Sequence, residues 1–368
     1  MLKLNRYVLL AACSLFFFAN TGCGRREKSA ISTVTPPRSE ATSVPKFVGV
    51  ETCVKCHAVN YGFHQMSGHA HTLRSATLPE VQSKFVGKTF DRVGYGSFQY
   101  EFEASGLAAK LPDAFSDRVF PLDYAFGSGQ NAITLLTLLS DDNGKTVGIE
   151  HCGSWFASLK GLSLTPGHAE TQPTREAEYF GKWHEYDEVS KCFGCHTTTG
   201  IVALDKPELT DIVPNVNCER CHGAASEHVK LATNSPPPPF SVGRPDWSRS
   251  DEIDLCGGCH RMPSDFSAQK LRDYPAVMAR FQPVGMLRSK CYIESDEVRC
   301  TTCHNPHQGA KVRTVKSYEK ICLSCHQQQA EKQVSCPKSP SDGCIDCHMP
   351  LVPLIKGIAF HDHWVRVH

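Results

Sequence analysis

The sequence predicts mainly short α-helices and coil around an interior filled by cofactors rather than side chains, with a small antiparallel β insert at about 85–160. Three observations predict it. Cysteine is the compositional outlier, 19 in 368 residues, too many for a reduced cytosolic protein without metal or cofactor chemistry. Fourteen of them fall in seven copies of one pentapeptide, six copies within residues 192–348, which leaves each too little chain to wrap its own core. Sustained period-2 alternation occurs only between the first and second copies. With 39 Lys+Arg against 38 Asp+Glu, the chain is neither a polybasic nucleic-acid binder nor an acidic disordered tail.

Residues 1–22 read as an export signal. Lys3 and Arg6 precede an apolar run from Tyr7 to Ala19, too short to span a bilayer. The run ends Ala19-Asn20-Thr21-Gly22-Cys23, and small residues before a cysteine resemble a bacterial lipobox, although Asn20 stands where that pattern usually has Leu. Two outcomes stay open: lipidation of Cys23, which would anchor the protein to a membrane, or ordinary cleavage, which would release it into the periplasm. Residues 23–46 are rich in Ser, Thr and Pro and read as an extended linker. No other segment is apolar for 18 residues, so no spanning helix is expected.

The pentapeptides are Cys53-Val-Lys-Cys56-His57, Cys192-Phe-Gly-Cys195-His196, Cys218-Glu-Arg-Cys221-His222, Cys256-Gly-Gly-Cys259-His260, Cys300-Thr-Thr-Cys303-His304, Cys322-Leu-Ser-Cys325-His326 and Cys344-Ile-Asp-Cys347-His348. Thiols three residues apart lie on one side of a helical turn and can each form a thioether to a haem vinyl, while the adjacent histidine binds iron as the proximal ligand. Zinc is the plain alternative, because paired CxxC units build Cys₄ sites, but zinc does not require His after each pair. With 18 His in the chain, its appearance after all seven by chance has a probability on the order of 10⁻⁹. A disulfide framework gives that His no role either. The sequence therefore predicts seven covalently bound haem c groups in a multihaem cytochrome c fold. The first haem segment is expected at 47–84, a six-haem domain at 166–350 and a C-terminal tail at 351–368. Little regular sheet is expected in the six-haem part.

The intervening 85–165 has room for conventional structure. Phe98-Gln-Tyr-Glu-Phe-Glu103 alternates, and Ile133–Leu139 and Thr146–Glu150 read as strands around the turn Asp142-Asn143-Gly144. This insert is a scaffold, or else it shapes a pocket over the first haem. Pro236–Pro239 reads as a polyproline spacer.

Eleven histidines lie outside the motifs, enough for a second ligand at every iron, which would suit electron transfer. Here the sequence resembles the multihaem c-type cytochromes that include the tetrahaem electron acceptor of hydroxylamine oxidoreductase and the doubled-CXXCH proteins. The likeness lies in Ser67-Gly-His69-Ala70, Cys192 to Thr198, Cys218-Glu219 with Cys221-His222-Gly223 and His228, Cys303-His-Asn-Pro-His307, and Cys347-His-Met-Pro350. The resemblance implies His69, His228 and His307 as distal ligands, each reaching a haem other than its neighbour in sequence. His151, His168, His184 and His361 are further candidates, whereas His64, His71, His363 and His368 read as solvated or hydrogen-bonded. Met349 follows a proximal His and reads as packing beside the ring. Cys291 and Cys336 could pair as a disulfide, and Cys152 could be a free thiol or an unusual ligand.

The function expected is that of an electron carrier, a periplasmic or membrane-tethered heptahaem relay between a quinol-linked donor and a reductase or another cytochrome. Haem propionates would make the loaded chain net negative, favouring partners with basic patches, and nothing predicts a nucleic-acid partner. The alternative is an oxidoreductase acting on a small nitrogen or sulfur compound at one open-coordination haem.

Overall fold

The computed structural model describes residues 45–94, 96–104, 106–110, 119–168, 173–199, 212–233, 247–274, 277–326, 335–355 and 357–367. The export signal, Cys23, nearly all of the linker, Pro236–Pro239 and His368 lie outside the described residues.

The chain enters through helix α1 (Val50–Gln65) and then builds sheet. Strands β1 (Leu73–Ser75), β2 (Thr89–Arg92), β3 (Gly96–Glu103), β4 (Gly106–Lys110), β5 (Val119–Pro121), β6 (Tyr124–Phe126), β7 (Ala132–Ser140), β8 (Thr146–His151), β9 (Gly153–Phe156), β10 (Gly161–Leu164) and β11 (Gly181–His184) follow, with helix α2 (Pro79–Phe85) between the first two. They form a four-stranded sheet in the order β2-β3-β4-β5 and a seven-stranded sheet in the order β1-β6-β7-β8-β11, with β9 joining β7 to β10. All the pairings are antiparallel. The β7–β8 turn is set by the Asp141 carboxylate, which accepts from the Asn143 and Lys145 N–H groups, and by Gly144 at φ 75°.

Both sheets contribute to one apolar core. Phe90, Phe98, Tyr100, Leu107 and Phe120 of the smaller sheet cluster with Ile133, Leu135, Ile149 and Trp155 of the larger, and Val81 and Phe85 of α2 join them. Phe120 stacks on Phe180 with ring centroids 4.4 Å apart. A second cluster, around Leu73, Leu136, Val189 and Phe193, seats the next helix on the outer face.

From there the chain is helical: α3 (Tyr186–His196), α4 (Cys218–His222), α5 (Ser226–Ala232), α6 (Arg249–His260), α7 (Ala268–Arg272), α8 (Gln282–Met286), α9 (Lys290–Glu294), α10 (Cys300–Cys303), α11 (Val315–Cys325) and α12 (Cys344–His348). Ser248, Ser267 and Thr314 cap α6, α7 and α11 by accepting backbone N–H bonds. Neither apolar cluster draws a residue from beyond Ile212. Buried carboxylates tie this half together instead. Glu219 accepts from the N–H groups of Val48, Gly49 and Ala225, and Glu252 from the Thr301 N–H and hydroxyl. A short hairpin, β12 (Leu351–Ile355) and β13 (Ile358–His361), forms a third sheet.

Thirteen strands in three sheets, among the described residues, correct the expected fold class of helices and coil with a small β insert at about 85–160. Sheet begins at residue 73, extends to 184 and recurs at 351–361. Two physical features hid it. Strands such as β1, β5 and β6 have three residues, too few to show a period. β4 and β9 are buried almost throughout, so they carry no alternation of apolar and polar residues.

Candidate haem-binding array

Every CxxC pair lies on a helix, and every motif histidine sits at the point where the helix stops or bends. His196, His222, His260 and His348 are terminal residues, and His304 and His326 follow α10 and α11 directly. His57 breaks the helical run of α1, with φ −112° and ψ 38°. The helical turn aligns the two thiols, and leaving the helix frees the imidazole to swing beneath a bound ring. Several of these imidazoles are aimed by hydrogen bonds at Nδ1: His196 to the Thr72 carbonyl at 2.9 Å, His348 to the Arg366 carbonyl at 2.9 Å and His260 to Gln282 Oε1 at 3.0 Å. Such a bond leaves Nε2 as the metal-facing nitrogen.

Four motif histidines face a second histidine. Ring centroids are 6.2 Å apart for His57 and His228, 6.0 Å for His222 and His307, 6.3 Å for His260 and His69, and 6.3 Å for His304 and His363. Two imidazoles bound to opposite sides of one metal, with bonds of about 2 Å each and ring centres about 1 Å behind the nitrogens, would stand roughly 6 Å apart. Burial also pushes His69, His228, His307, His304 and His363 below the usual imidazole range, His363 to about 4, so the lone pair a metal needs is retained. These observations fit haem. So do the apolar side chains left exposed on and just after α1 and at the start of α11 and just before it, namely Val59, Phe63, Met66, Val315 and Val312, which a flat macrocycle could cover.

The remaining histidines are placed differently. His151 lies inside the sandwich with Nε2 2.7 Å from the Tyr100 hydroxyl, and burial pushes it down to about 3. His168 and His184 each hold the Glu150 carboxylate at 3.1 Å, and the second nitrogen of His184 meets Glu188 at 3.1 Å. His361 is hydrogen-bonded through Nδ1 to the Met349 carbonyl, whereas His64 and His71 are hydrogen-bonded through Nε2 to the Val216 and Gln65 carbonyls. His363, which the sequence placed among the solvated or hydrogen-bonded histidines, is hydrogen-bonded through Nδ1 to the His361 carbonyl at 2.9 Å and also stands opposite His304, and no spacing signal links it to that motif. Cys152 is fully buried and its thiol is pushed up to about 12 by burial. Cys291 and Cys336 are both free, so the suggested disulfide is absent; Cys291 instead lies by Cys303 and Cys322.

The motifs adjoin in an order unlike their order in sequence. α1 packs on α4, with Cys53 hydrogen-bonded to Cys218, and Cys221 lies beside Cys256 and Cys259. α6 packs on α10, with the Cys256 and Cys300 thiols hydrogen-bonded; α10 packs on α11, and α11 on α12, bringing Cys322 near both Cys303 and Cys344. The series runs first, third, fourth, fifth, sixth, seventh. The second motif stands to the side. α3 packs on α6, the Cys195 thiol is hydrogen-bonded to the Cys259 thiol, and the Arg220 guanidinium donates to the Gly194 carbonyl at 2.8 Å.

Thiol pairs on helical turns, displaced histidines and facing imidazoles define a multihaem c-type cytochrome with covalently bound haem c. The comparisons agree. The family model for cytochrome c554 and c-prime matches residues 160–223, across the second and third motifs, and the doubled CXXCH motif matches 293–331, across the fifth and sixth. The solved structure of the outer cell wall cytochrome OcwA is similar over 87% of this chain and 79% of its own, with TM-score 0.51 and 14% identity, a likeness of fold. No curated protein matches. Among the described residues, no helix is long and apolar enough to cross a membrane, and no three Cys, His, Asp or Glu side chains converge as a bare metal ion would require.

Proposed function

We propose that the chain carries seven haem c groups, one at each motif, and relays electrons between redox proteins outside the cytoplasm. The supporting observation is the continuous adjacency of six motifs from Cys53 to Cys347, which would hold successive groups within electron-hopping reach. When bound, haem supplies a one-electron iron couple whose potential follows its axial ligands, burial and nearby charge. The chain's part is to fix position and ligation. His57 with His228, His222 with His307, His260 with His69 and His304 with His363 serve as axial pairs, and Thr72, Arg366 and Gln282 orient three proximal rings. Export follows from the 1–22 signal, with anchoring through Cys23 or release to the periplasm, and partners are redox proteins that present basic patches.

The mass of the mature holoprotein tests the count, because thioether-linked haem survives denaturation; fewer than seven added haems refutes the full set. Rapid reduction by a single donor tests the relay. Electrons entering at the first motif should equilibrate with all groups of the series, and the Cys300→Ser/Cys303→Ser variant should leave the sixth and seventh groups reduced slowly or not at all. Unchanged equilibration in a variant shown by mass to lack that one haem would remove the proposed order.

A further inference from the structure

We propose that the buried carboxylate of Asp362 is a positioning residue for two haem sites at once: it holds His363 opposite His304 at the fifth motif and the Arg366 carbonyl on His348 at the seventh. This deepens the relay reading and rests on it in taking His304 with His363 as an axial pair and in requiring haem at the seventh motif.

Residues 362–366 lie outside every helix and strand, so the path of this segment needs another source of order. The Asp362 side chain, fully buried, supplies it. Its Oδ1 accepts from the Tyr274 hydroxyl and, at 2.8 Å, from the Trp364 N–H, while its Oδ2 accepts from the Arg366 guanidinium at 2.9 Å. The Trp364 bond turns the chain directly after His363, and the charge-assisted bond draws Arg366 back over the same turn.

Two imidazoles depend on that turn. His363 meets the His361 carbonyl through Nδ1 at 2.9 Å, so the residues on either side of Asp362 form one hydrogen-bonded unit, and Nε2 is left for the iron shared with His304, whose ring centroid is 6.3 Å away. His348 meets the Arg366 carbonyl through Nδ1 at 2.9 Å, and the Asp362 N–H donates to the Pro350 carbonyl at 3.0 Å, which anchors the turn just beyond α12.

The seat beneath the turn is equally specific. A Cβ added to Gly285 of α8 would fall 2.5 Å from the Trp364 nitrogen and 2.6 Å from the His363 carbonyl carbon, so a glycine is required for this close approach. The Ser289 hydroxyl bonds the backbone on both sides of Trp364. In the series the sixth motif stands between the fifth and the seventh, and the Asp362 turn gives those two a second connection. A bond from Nδ1–H to a carbonyl strengthens an imidazole as a ligand and favours ferric iron, so freeing His348 should favour the ferrous form, whereas withdrawing His363 leaves the fifth iron one ligand short.

The test uses the purified holoprotein and its variants, with seven haems confirmed by mass, followed by paramagnetic resonance and redox titration. Signals of the fifth and seventh irons are assigned from the Cys300→Ser/Cys303→Ser and Cys344→Ser/Cys347→Ser variants. Asp362→Ala should turn the fifth iron high-spin and shift the reduction equilibrium of the seventh about tenfold towards the ferrous form, with the first and third irons unchanged. Arg366→Ala keeps the carbonyl but frees it from Asp362, and should move the seventh iron alone. Asp362→Asn keeps an acceptor for Tyr274 and Trp364 without the ion pair, so it should restore the fifth iron and leave the seventh shifted. Asp362→Ala with both irons as in the unsubstituted protein, or with all seven disturbed alike, overturns the proposal. Should Asp362→Ala fail to take up haem, a seventh iron unchanged in both Asp362→Asn and Arg366→Ala overturns it. A fifth iron that stays low-spin in His363→Ala removes the axial pair of the relay reading and this proposal with it, whereas a high-spin fifth iron in His363→Ala beside an inert Asp362→Ala overturns the positioning role alone.

Discussion

The sheet-rich region, residues 73–184, and the helical region beyond residue 218 solve the problem of burial in opposite ways. The first packs Phe90, Phe98, Tyr100, Leu107, Phe120, Ile133, Leu135 and Ile149 into a core of the chain's own making. The second buries few large apolar side chains, chiefly Ile253, Met278, Val284, Tyr292 and Ile345, and relies on clamps such as Glu219 and Glu252. A domain must bury apolar surface in proportion to its size. In the helical half the chain leaves that surface to be supplied by what its thiols attach, so the two regions should respond differently to every perturbation.

The largest contrast comes from withholding haem. If the full chain is produced without the attachment machinery, amides of α4, α6, α10, α11 and α12 should exchange at close to the unfolded rate, while those of β3, β7 and β8 stay protected. Equal protection in both regions would show that the helices have a core of their own. A smaller but still large effect is expected from cutting the sheet core in the holoprotein. Phe98→Ala should cost about 3–5 kcal/mol, because the side chain is fully buried between aromatic neighbours. The loss should appear in the unfolding transition of the sheets and leave the haem absorption bands in place.

These two outcomes bear on what the amino-acid sequence could reveal. The seven pentapeptides were legible because covalent attachment demands a fixed local spacing, and three of the four histidines found opposite them, His69, His228 and His307, stood in recognisable local surroundings. His363 did not. Its meeting with His304 depends on the return of the C-terminal segment, where the Ser289 hydroxyl donates to the His363 carbonyl and accepts from the Val365 N–H. The strands over Ile133–Leu139 and Thr146–Glu150 announced themselves by length and turn chemistry, whereas the edges of the same sheet, three or four residues each, are stabilised by pairing rather than by any pattern they carry. Motif order in space was invisible because nothing in a pentapeptide says which other pentapeptide it meets.

Acid should separate the regions at intermediate scale. His151 sits in the sheet core, and burial holds it near 3, while the unfolded chain titrates it near 6.5. Between those values the unfolded state binds a proton that the folded state does not, so stability falls as pH is lowered from about 6.5 towards 3, by up to about 1.4 kcal/mol per pH unit. A His151→Gln variant should flatten that slope for the sheet transition. If the slope is the same in the variant, His151 is not the group responsible.

The smallest perturbation to the whole molecule is the most exact probe of the helical half. His363→Ala removes an imidazole 6.3 Å from His304 and no part of the sheet core, so global stability should change little while one iron changes from low spin to high spin. His361→Ala, two residues away and directed by Nδ1 at the Met349 carbonyl, should leave the fifth-motif iron unchanged. Paramagnetic resonance of the two variants decides the matter. A new high-spin signal for His361→Ala but none for His363→Ala would exchange their roles and show that the C-terminal segment takes another path once haem is in place. The sheet region, which needs no cofactor to fix its neighbours, leaves no comparable freedom to test.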